Sequence, residues 1–251
     1  MPIRCITLDW GDTLAANYGM PYQATMRTAF AQLQLELAAA GCVPAGDFPA
    51  RCLEELAGPW RESIDPIRNP EHREFDFSAL LTRWVEATLT PQADRAAVAQ
   101  SLVACQDRMC DTVIPYGEAL PVLSALHARG FRLGILSHVA WPGDACRRWF
   151  ARHGFAPYLD FYSLSCEVGW IKPAPQHFSH ALDLAGVSPD EILHVGDHPL
   201  RDVAGARKAG FRTCLRLTEG IYAEEGLLQA EADARILKLA NLLTLPELTH
   251  G

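Results

Sequence analysis

The stretch Glu191-Ile-Leu-His-Val-Gly-Asp197-His-Pro-Leu-Arg-Asp202-Val-Ala-Gly-Ala-Arg-Lys-Ala-Gly210 decides the fold. Apart from His194, residues 192–195 are continuously apolar, the pattern of a strand buried on both faces. The run ends in Gly196-Asp197. Pro199 then suits the first turn of a helix, and Gly210 is a residue type that stops one, which predicts a helix over 199–209. Phe211-Arg-Thr-Cys-Leu-Arg216 reads as the next strand. Strand, helix and strand in so short a span imply a right-handed crossover between parallel neighbours.

The same alternation extends in both directions. Upstream, a helix over 117–129 stops at Gly130, and the strand after it ends at Ser137. A helix over 142–153, a short strand at 161–165 and a helix over 175–185 closed by Gly186 follow. Downstream, a strand near 233–237 leads into a terminal helix. At the start of the chain, Ile3-Arg-Cys-Ile-Thr-Leu8 reads as a strand ending at Asp9. The expected architecture is α/β, a doubly wound parallel sheet of Rossmann-like form.

Residues 16–114 interrupt this rhythm. Tyr22, Met26, Phe30, Leu33 and Leu37 recur at helical spacing in a segment closed by Gly41. Further helices are expected near 48–57 and 77–88, with 58–75, rich in Pro, Arg and Glu, as a long loop. Thr90-Pro91 has the form of an N-cap followed by a first-turn proline, and Val98, Leu102, Cys105 and Met109 mark a fourth helical face. The expected organisation is therefore a core domain made of 1–15 and 115–251, with an all-helical domain, 16–114, inserted after the first strand.

In sheets of this type the ligand crevice lies beyond the carboxyl ends of the strands. Asp9, Ser137 and Asp197 each end an expected strand, and Lys172 lies in the loop after strand 161–165, so all four should meet there. Each has an ordinary reading when taken alone. Asp9 could be an Asx-turn, Ser137 a helix cap, Lys172 a solvated loop lysine, and Asp202 a first-turn acid favoured by the helix dipole. Taken together they offer a carboxylate nucleophile, a hydroxyl and a cation for an anionic group. Asp9 and Asp197 facing each other across the crevice suit a hard cation such as Mg²⁺.

These motifs in this order, strand-Asp9, strand-Ser137, Lys172-Pro173 and Gly196-Asp197 through Asp202, resemble the haloacid dehalogenase-like hydrolase superfamily, and the helical insertion resembles its C1-type cap. The resemblance implies that Asp9 attacks phosphorus to give an aspartyl-phosphate that water then hydrolyses. It implies Mg²⁺ held by the Asp9 carboxylate, the Gly11 carbonyl and Asp197, with Asp202 in support, and Ser137 and Lys172 on the phosphoryl oxygens. The implied substrate is a small phosphorylated metabolite.

One position departs from the pattern. The superfamily's phosphatases normally place a second Asp two residues after the nucleophile, to protonate the leaving group and then activate water. Here that residue is Gly11, and an acid stands one place later, at Asp12. Three readings follow: a phosphatase in which Asp12 or His138 supplies the proton or the leaving group needs none; a 2-haloacid dehalogenase, whose halide needs no proton; or a ligand-binding protein with weak catalysis. The Asp9-Trp10-Gly11 sequence also resembles phosphonoacetaldehyde hydrolases. Those use a cap lysine as a Schiff base, and residues 16–114 contain no lysine. Of 22 basic residues in the 251-residue chain only Lys172, Lys208 and Lys238 are lysines.

Composition sets the outer limits. A formal net charge of −8 argues against nucleic acid or an anionic membrane as the main partner. No apolar run reaches the roughly 20 residues of a membrane span, and the N-terminus lacks a signal-peptide pattern. Eight cysteines at irregular spacings, without a CxxC pair, read as reduced thiols in the cytoplasm rather than disulfides or a zinc site. Trp10 and Trp170 are expected to shape the pocket wall. Arg27, Arg61, Arg68 and Arg73 are read as mostly solvated, with one or two free to meet an anionic substrate.

Overall fold

The computed structural model of the chain describes residues 2–218 and 231–249. Six parallel strands form the main sheet: β1 (Cys5–Leu8), β4 (Arg132–Ser137), β5 (Phe161–Leu164), β6 (Ile192–Gly196), β7 (Arg212–Arg216) and β8 (Ala234–Ile236). Their spatial order is β5-β4-β1-β6-β7-β8, so the first strand lies at the centre and the direction of winding reverses beside it. That reversal puts the crevice at the carboxyl ends of β1, β4 and β6. Every residue of β1 and β6 is buried, which explains their lack of apolar–polar alternation.

Helices cover both faces: α5 (Ala119–Ala128), α6 (Gly143–Arg152), α8 (Pro175–Ala185) and, after a wider π-type turn at Pro199–Ala204, α9 (Gly205–Lys208). The short helix α7 (Ser165–Val168) separates β5 from the Lys172 loop. Pro175 starts α8 and Gly186, at φ 64°, ends it, as local chemistry dictates. Beyond β8 the expected terminal helix is replaced by two 3₁₀ turns, Leu239–Thr244 and Pro246–Leu248.

Between β1 and α5 lie α1 (Tyr22–Ala39), α2 (Phe48–Ile64), α3 (Phe77–Glu86) and α4 (Arg95–Cys110). The chain leaves and re-enters the sheet region through a two-residue antiparallel ribbon, β2 (Ala15–Ala16) against β3 (Ile114–Pro115). Two expectations need correction. First, α2 does not stop near 57 but continues through Pro59 to Ile64, because Leu56 and Ser63 are buried on its packed face and Trp60 lies beside them. Second, Thr90-Pro91 does not start a helix. Thr90 Oγ1 donates to the Gly41 carbonyl at 2.8 Å, and Asp94 caps α4 by accepting from the amides of Ala96 and Ala97.

The sheet packs tightly against its helices. Trp10, Trp149, Phe150 and Phe155 form a buried aromatic cluster, with neighbouring ring centroids 4.8–5.9 Å apart. Gly134 in β4 faces the Phe161 ring so closely that an added Cβ would lie 2.2 Å from it. Gly134→Ala should therefore destabilise the protein by about 1–3 kcal/mol, measured by urea unfolding. Wild-type stability in that variant would show that the sheet gives way freely here.

Candidate active site

The side chain at the centre of the crevice is Lys172. It is only 2% exposed, so it is not a solvated loop lysine. Its Nζ donates to Asp9 Oδ1 at 2.7 Å, to the Leu136 carbonyl at 3.0 Å and to Asp202 Oδ1 at 2.5 Å. Those three bonds satisfy all three N–H groups of the ammonium. They tie the ends of β1 and β4 and the turn after β6 to the loop after β5.

Asp202 is fully engaged. Its Oδ1 also lies 3.2 Å from His194 Nε2, and its Oδ2 accepts from the His198 amide at 2.9 Å. His194 stands in register with Thr7 on the neighbouring strand, and its Nδ1 lies 3.0 Å from Thr7 Oγ1. A buried chain thus runs Thr7–His194–Asp202–Lys172–Asp9. Gly196 is required by this arrangement, since a Cβ there would fall 2.3 Å from Asp202 Cγ.

The charges do not balance. Carboxylate oxygens of Asp9, Asp197 and Asp202 lie within 4.8 Å of one another, all three residues buried, with one ammonium among them. Burial pushes the Asp9 carboxyl up, and Lys172 only partly offsets this. Asp197 is raised well above the usual range by burial and then by Asp202, Asp9 and Asp12, and it accepts from Thr13 Oγ1 only at 3.4 Å. For Asp202 burial acts upward, but Lys172 and His194 outweigh it and hold the group below the ordinary carboxylate range. Burial likewise opposes the charge on Lys172, and Asp202 and Asp9 outweigh it. A divalent cation with oxygen preference fits this surplus of buried carboxylate.

The turn after Asp9 shows why Asp12 stands where it does. Asp12 has φ 55°, a left-handed conformation that Asp tolerates better than most residues. Its Oδ1 accepts from the amides of Asn17 and Tyr18, at 3.0 and 2.8 Å. The expectation that Asp12 supplies a proton thus meets a carboxylate engaged in fixing the segment that leads to α1. Gly11, by contrast, has ordinary backbone geometry. A Cβ there would lie 3.2 Å from the Asn17 side chain, whose Oδ1 accepts from the Tyr22 hydroxyl.

Ser137 is 2% exposed and, with Asp9, Gly11, Asp12, Lys172 and Asp197, lines a pocket of about 210 Å³. Trp10 lines it as well. Trp170 instead lies beneath the Arg73 guanidinium, 4.2 Å from its ring centroid. Arg73 is therefore not simply solvated, and Arg68 pairs with Glu62 and Asp65.

Sequence reading missed the way residues 72–74 dock on the lysine loop. Ile171 N donates to the His72 carbonyl at 2.7 Å, and Glu74 N to that of Gly169 at 3.1 Å. The Glu74 carboxylate, buried at 2% side-chain exposure, accepts from Ser165 Oγ at 2.5 Å and lies 3.2 Å from His138 Nε2. The other ring partner of His138 is Trp60, stacked at 6.0 Å and 15°. Also missed was Arg216, whose Nη1 donates to the carbonyls of Asp12 and Thr13 at 2.6 and 2.9 Å. A cation ending a buried strand was the available signal for it.

Known proteins resemble this chain in sequence and in fold. A family model for haloacid dehalogenase-like hydrolases matches residues 3–210. A glyceraldehyde 3-phosphate phosphatase of Methanopyrus kandleri is 32% identical over 224 residues, 88% of this chain and 87% of that protein. A phosphoserine phosphatase of Thermus thermophilus is 34% identical over 47% of this chain and 44% of its own length. Among solved structures, a 2-haloacid dehalogenase of Pseudomonas syringae superposes with a TM-score of 0.65 at 27% identity, covering 98% of each chain. The chain belongs to the haloacid dehalogenase-like hydrolases, and it is a hydrolytic enzyme of that family.

Replacing Lys172 with Met leaves the facing carboxylates buried without their cation. The expected cost is about 3–5 kcal/mol in urea unfolding at neutral pH. Part of this stability depends on pH in a defined direction. Asp202, with its native value depressed, contributes stability fully present above its unfolded value of about 4 and lost progressively as the pH falls below it. Asp202→Asn should remove that acid-side dependence, and an unchanged acid limb would refute the assignment.

Proposed function

We propose that the protein is a Mg²⁺-dependent phosphatase acting on small phosphorylated compounds, with Asp9 as nucleophile. The observation that carries this reading is the buried Asp9–Lys172–Asp202 arrangement beside Asp197: a carboxylate poised at a strand end, a cation for an anionic group, and a surplus of oxygen donors. The phosphatase names of the Methanopyrus and Thermus relatives point the same way.

In this reading Lys172 holds Asp9 by one carboxylate oxygen, which leaves the other to attack phosphorus. Ser137 binds a phosphoryl oxygen, while Lys172, its three N–H groups already used, contributes its positive charge beside the phosphoryl group, so the protein's part is positioning and charge neutralisation. The Asp9 carboxylate, the Gly11 carbonyl and Asp197 would hold Mg²⁺, with Asp202 supporting through its grip on Lys172. When bound, the ion adds positive charge beside the reacting phosphoryl group. Residues 16–114 serve as the cap over the core formed by 1–15 and 115–251 and exclude water from the first step. Substrate is a small molecule. The net charge disfavours nucleic acid, and no helix among the described residues is long and apolar enough to cross a membrane. All eight cysteines are free and seven are buried, which suits a reducing, cytoplasmic setting.

The direct test is release of phosphate from p-nitrophenyl phosphate and acetyl phosphate with Mg²⁺, reduced to background by Asp9→Asn. No turnover of either compound would sink the reading. A dehalogenase reading is favoured by Gly11 and by the Pseudomonas structure; chloride release from 2-chloropropionate in a chelator would support it instead. Metal binding has its own signature. In chelator, Asp197→Asn removes a repelled carboxylate and should raise the melting temperature by a few degrees, about 2–4 °C per kcal/mol for a chain of this size. The same variant should lose the rise in melting temperature that Mg²⁺ gives the parent.

A further inference from the structure

We infer that the substrate is the phosphate monoester of an aromatic hydroxyl compound, with its phosphoryl group at Asp9 and its ring in the cleft between α1 and α2. This deepens the phosphatase reading and rests on it. Two separate features of the chain lead to the same chemical class.

The first is the shape and lining of the space. The pocket at Asp9 is small, about 210 Å³, but it does not end blindly. Tyr22, Trp60 and Trp141 line it and also line a second, larger space of about 620 Å³. The walls of that cleft include Met26, Leu53 and Leu56, while its exposed residues include Arg27, Glu54 and Arg61. Trp60 and Trp141 stack nearly parallel at the junction, with centroids 5.7 Å apart and planes 8° apart. The stacked faces cover each other, so the pair presents its remaining edges, beside Met26, Leu53 and Leu56, as apolar contact for a flat aromatic group. A polyol chain would instead leave hydroxyls unpaired against Met, Leu and Trp side chains, at a cost for each one.

The second feature is chemical. Gly11 stands where a proton donor is expected, the Asp12 carboxylate is bonded to two backbone amides, and the His138 ring that lines the same pocket is held with its Nε2 3.2 Å from Glu74 and its face on Trp60. In the first step an Asp9 oxygen forms a bond to phosphorus while the phosphorus–oxygen bond to the leaving group breaks, and its electron pair departs with that oxygen. An alkoxide is a strong base and needs a proton at this point. An aryloxide is a much weaker base and can leave without one. Water then attacks the aspartyl-phosphate, regenerating the Asp9 carboxylate and releasing inorganic phosphate, which retains the protons of the water. An aromatic leaving group therefore answers both the apolar cleft and the absent acid.

The test compares kcat/KM, which covers the steps through phosphorus–oxygen cleavage, for 2-naphthyl phosphate, phenyl phosphate, glycerol 3-phosphate and acetyl phosphate. The aryl esters should exceed glycerol 3-phosphate by at least about 100-fold, the lower end of what a general acid contributes. Gly11→Asp should raise glycerol 3-phosphate turnover by about 10²–10⁴-fold and change the aryl esters far less. The Gly11 backbone accepts a side chain once Asn17 shifts by a few tenths of an ångström. Trp60→Ala should lower the ratio of 2-naphthyl phosphate to acetyl phosphate kcat/KM about tenfold, in line with the loss of a hydrophobic and stacking contact. Intrinsic ester reactivity alone would leave that ratio unmoved, and an unmoved ratio overturns the cleft assignment. Glycerol 3-phosphate matching the aryl esters overturns the inference while the phosphatase reading stands. Failure of all four substrates, acetyl phosphate included, sinks the reading beneath it.

Discussion

Burying one ammonium group among three carboxylates is the constraint on which the rest of this structure depends. Desolvating Lys172 is costly, and the cost is offset only because each of its N–H groups has a fixed acceptor. Those acceptors come from separate parts of the chain: Asp9 at the end of β1, the Leu136 carbonyl in β4, and Asp202 after β6. The parallel sheet is what brings them together, and their geometry in turn forbids a side chain at Gly196. Among the described residues, Asp197 has no comparable cation. The site is stable in charge only with a positive partner or a proton, and this is the physical basis for reading it as a centre for a divalent ion and a phosphoryl group.

A second layer of contacts ties the helical segment to this centre. The backbone of residues 72–74 pairs with residues 169–171, immediately before Lys172. On the other side, the Asp12 carboxylate holds the start of the segment at Asn17 and Tyr18, while Arg216 grips the carbonyls of Asp12 and Thr13. Any movement of the helices relative to the sheet must therefore be felt on both sides of the buried Asp9–Lys172–Asp202 cluster. Asp12 is then understandable as an anchor in a left-handed turn. That leaves no acid at position 11 itself, which is the ground for proposing a substrate with a labile bond.

Much of the core was legible from local chemistry. Pro175 and Gly186 bound α8 because proline and glycine act through their own backbones, and the runs of β1 and β6, apolar but for Thr7 and His194, reflect burial on both faces. Asp9, Ser137, Lys172 and Asp197 could be grouped because strand ends in a parallel sheet must converge, whatever the side chains do. Other features depended on long-range packing that sequence does not display. Helix α2 passes through Pro59 because one of its faces is buried. Asp94 rather than Thr90 caps α4, since the Thr90 hydroxyl is drawn to Gly41. Glu74 and Trp60 reach the site only because distant segments fold back over it. The partners of Asp202 were equally hidden: its acidic character fitted a helix terminus, but its bonds to Lys172 and His194 arise only once the turn after β6 folds back over that strand and the loop after β5 reaches it.

As the proposed nucleophile, Asp9 would carry a phosphoryl group during turnover. Acyl phosphates survive acid, so rapid acid quenching of the enzyme during turnover of acetyl phosphate, followed by peptide mass measurement, tests it directly. The account predicts one added phosphoryl group, confined to the peptide that contains Asp9 and lost on mild alkaline treatment. Phosphate released at a measurable rate with no modified Asp9 peptide, or with the group on another residue, would contradict it.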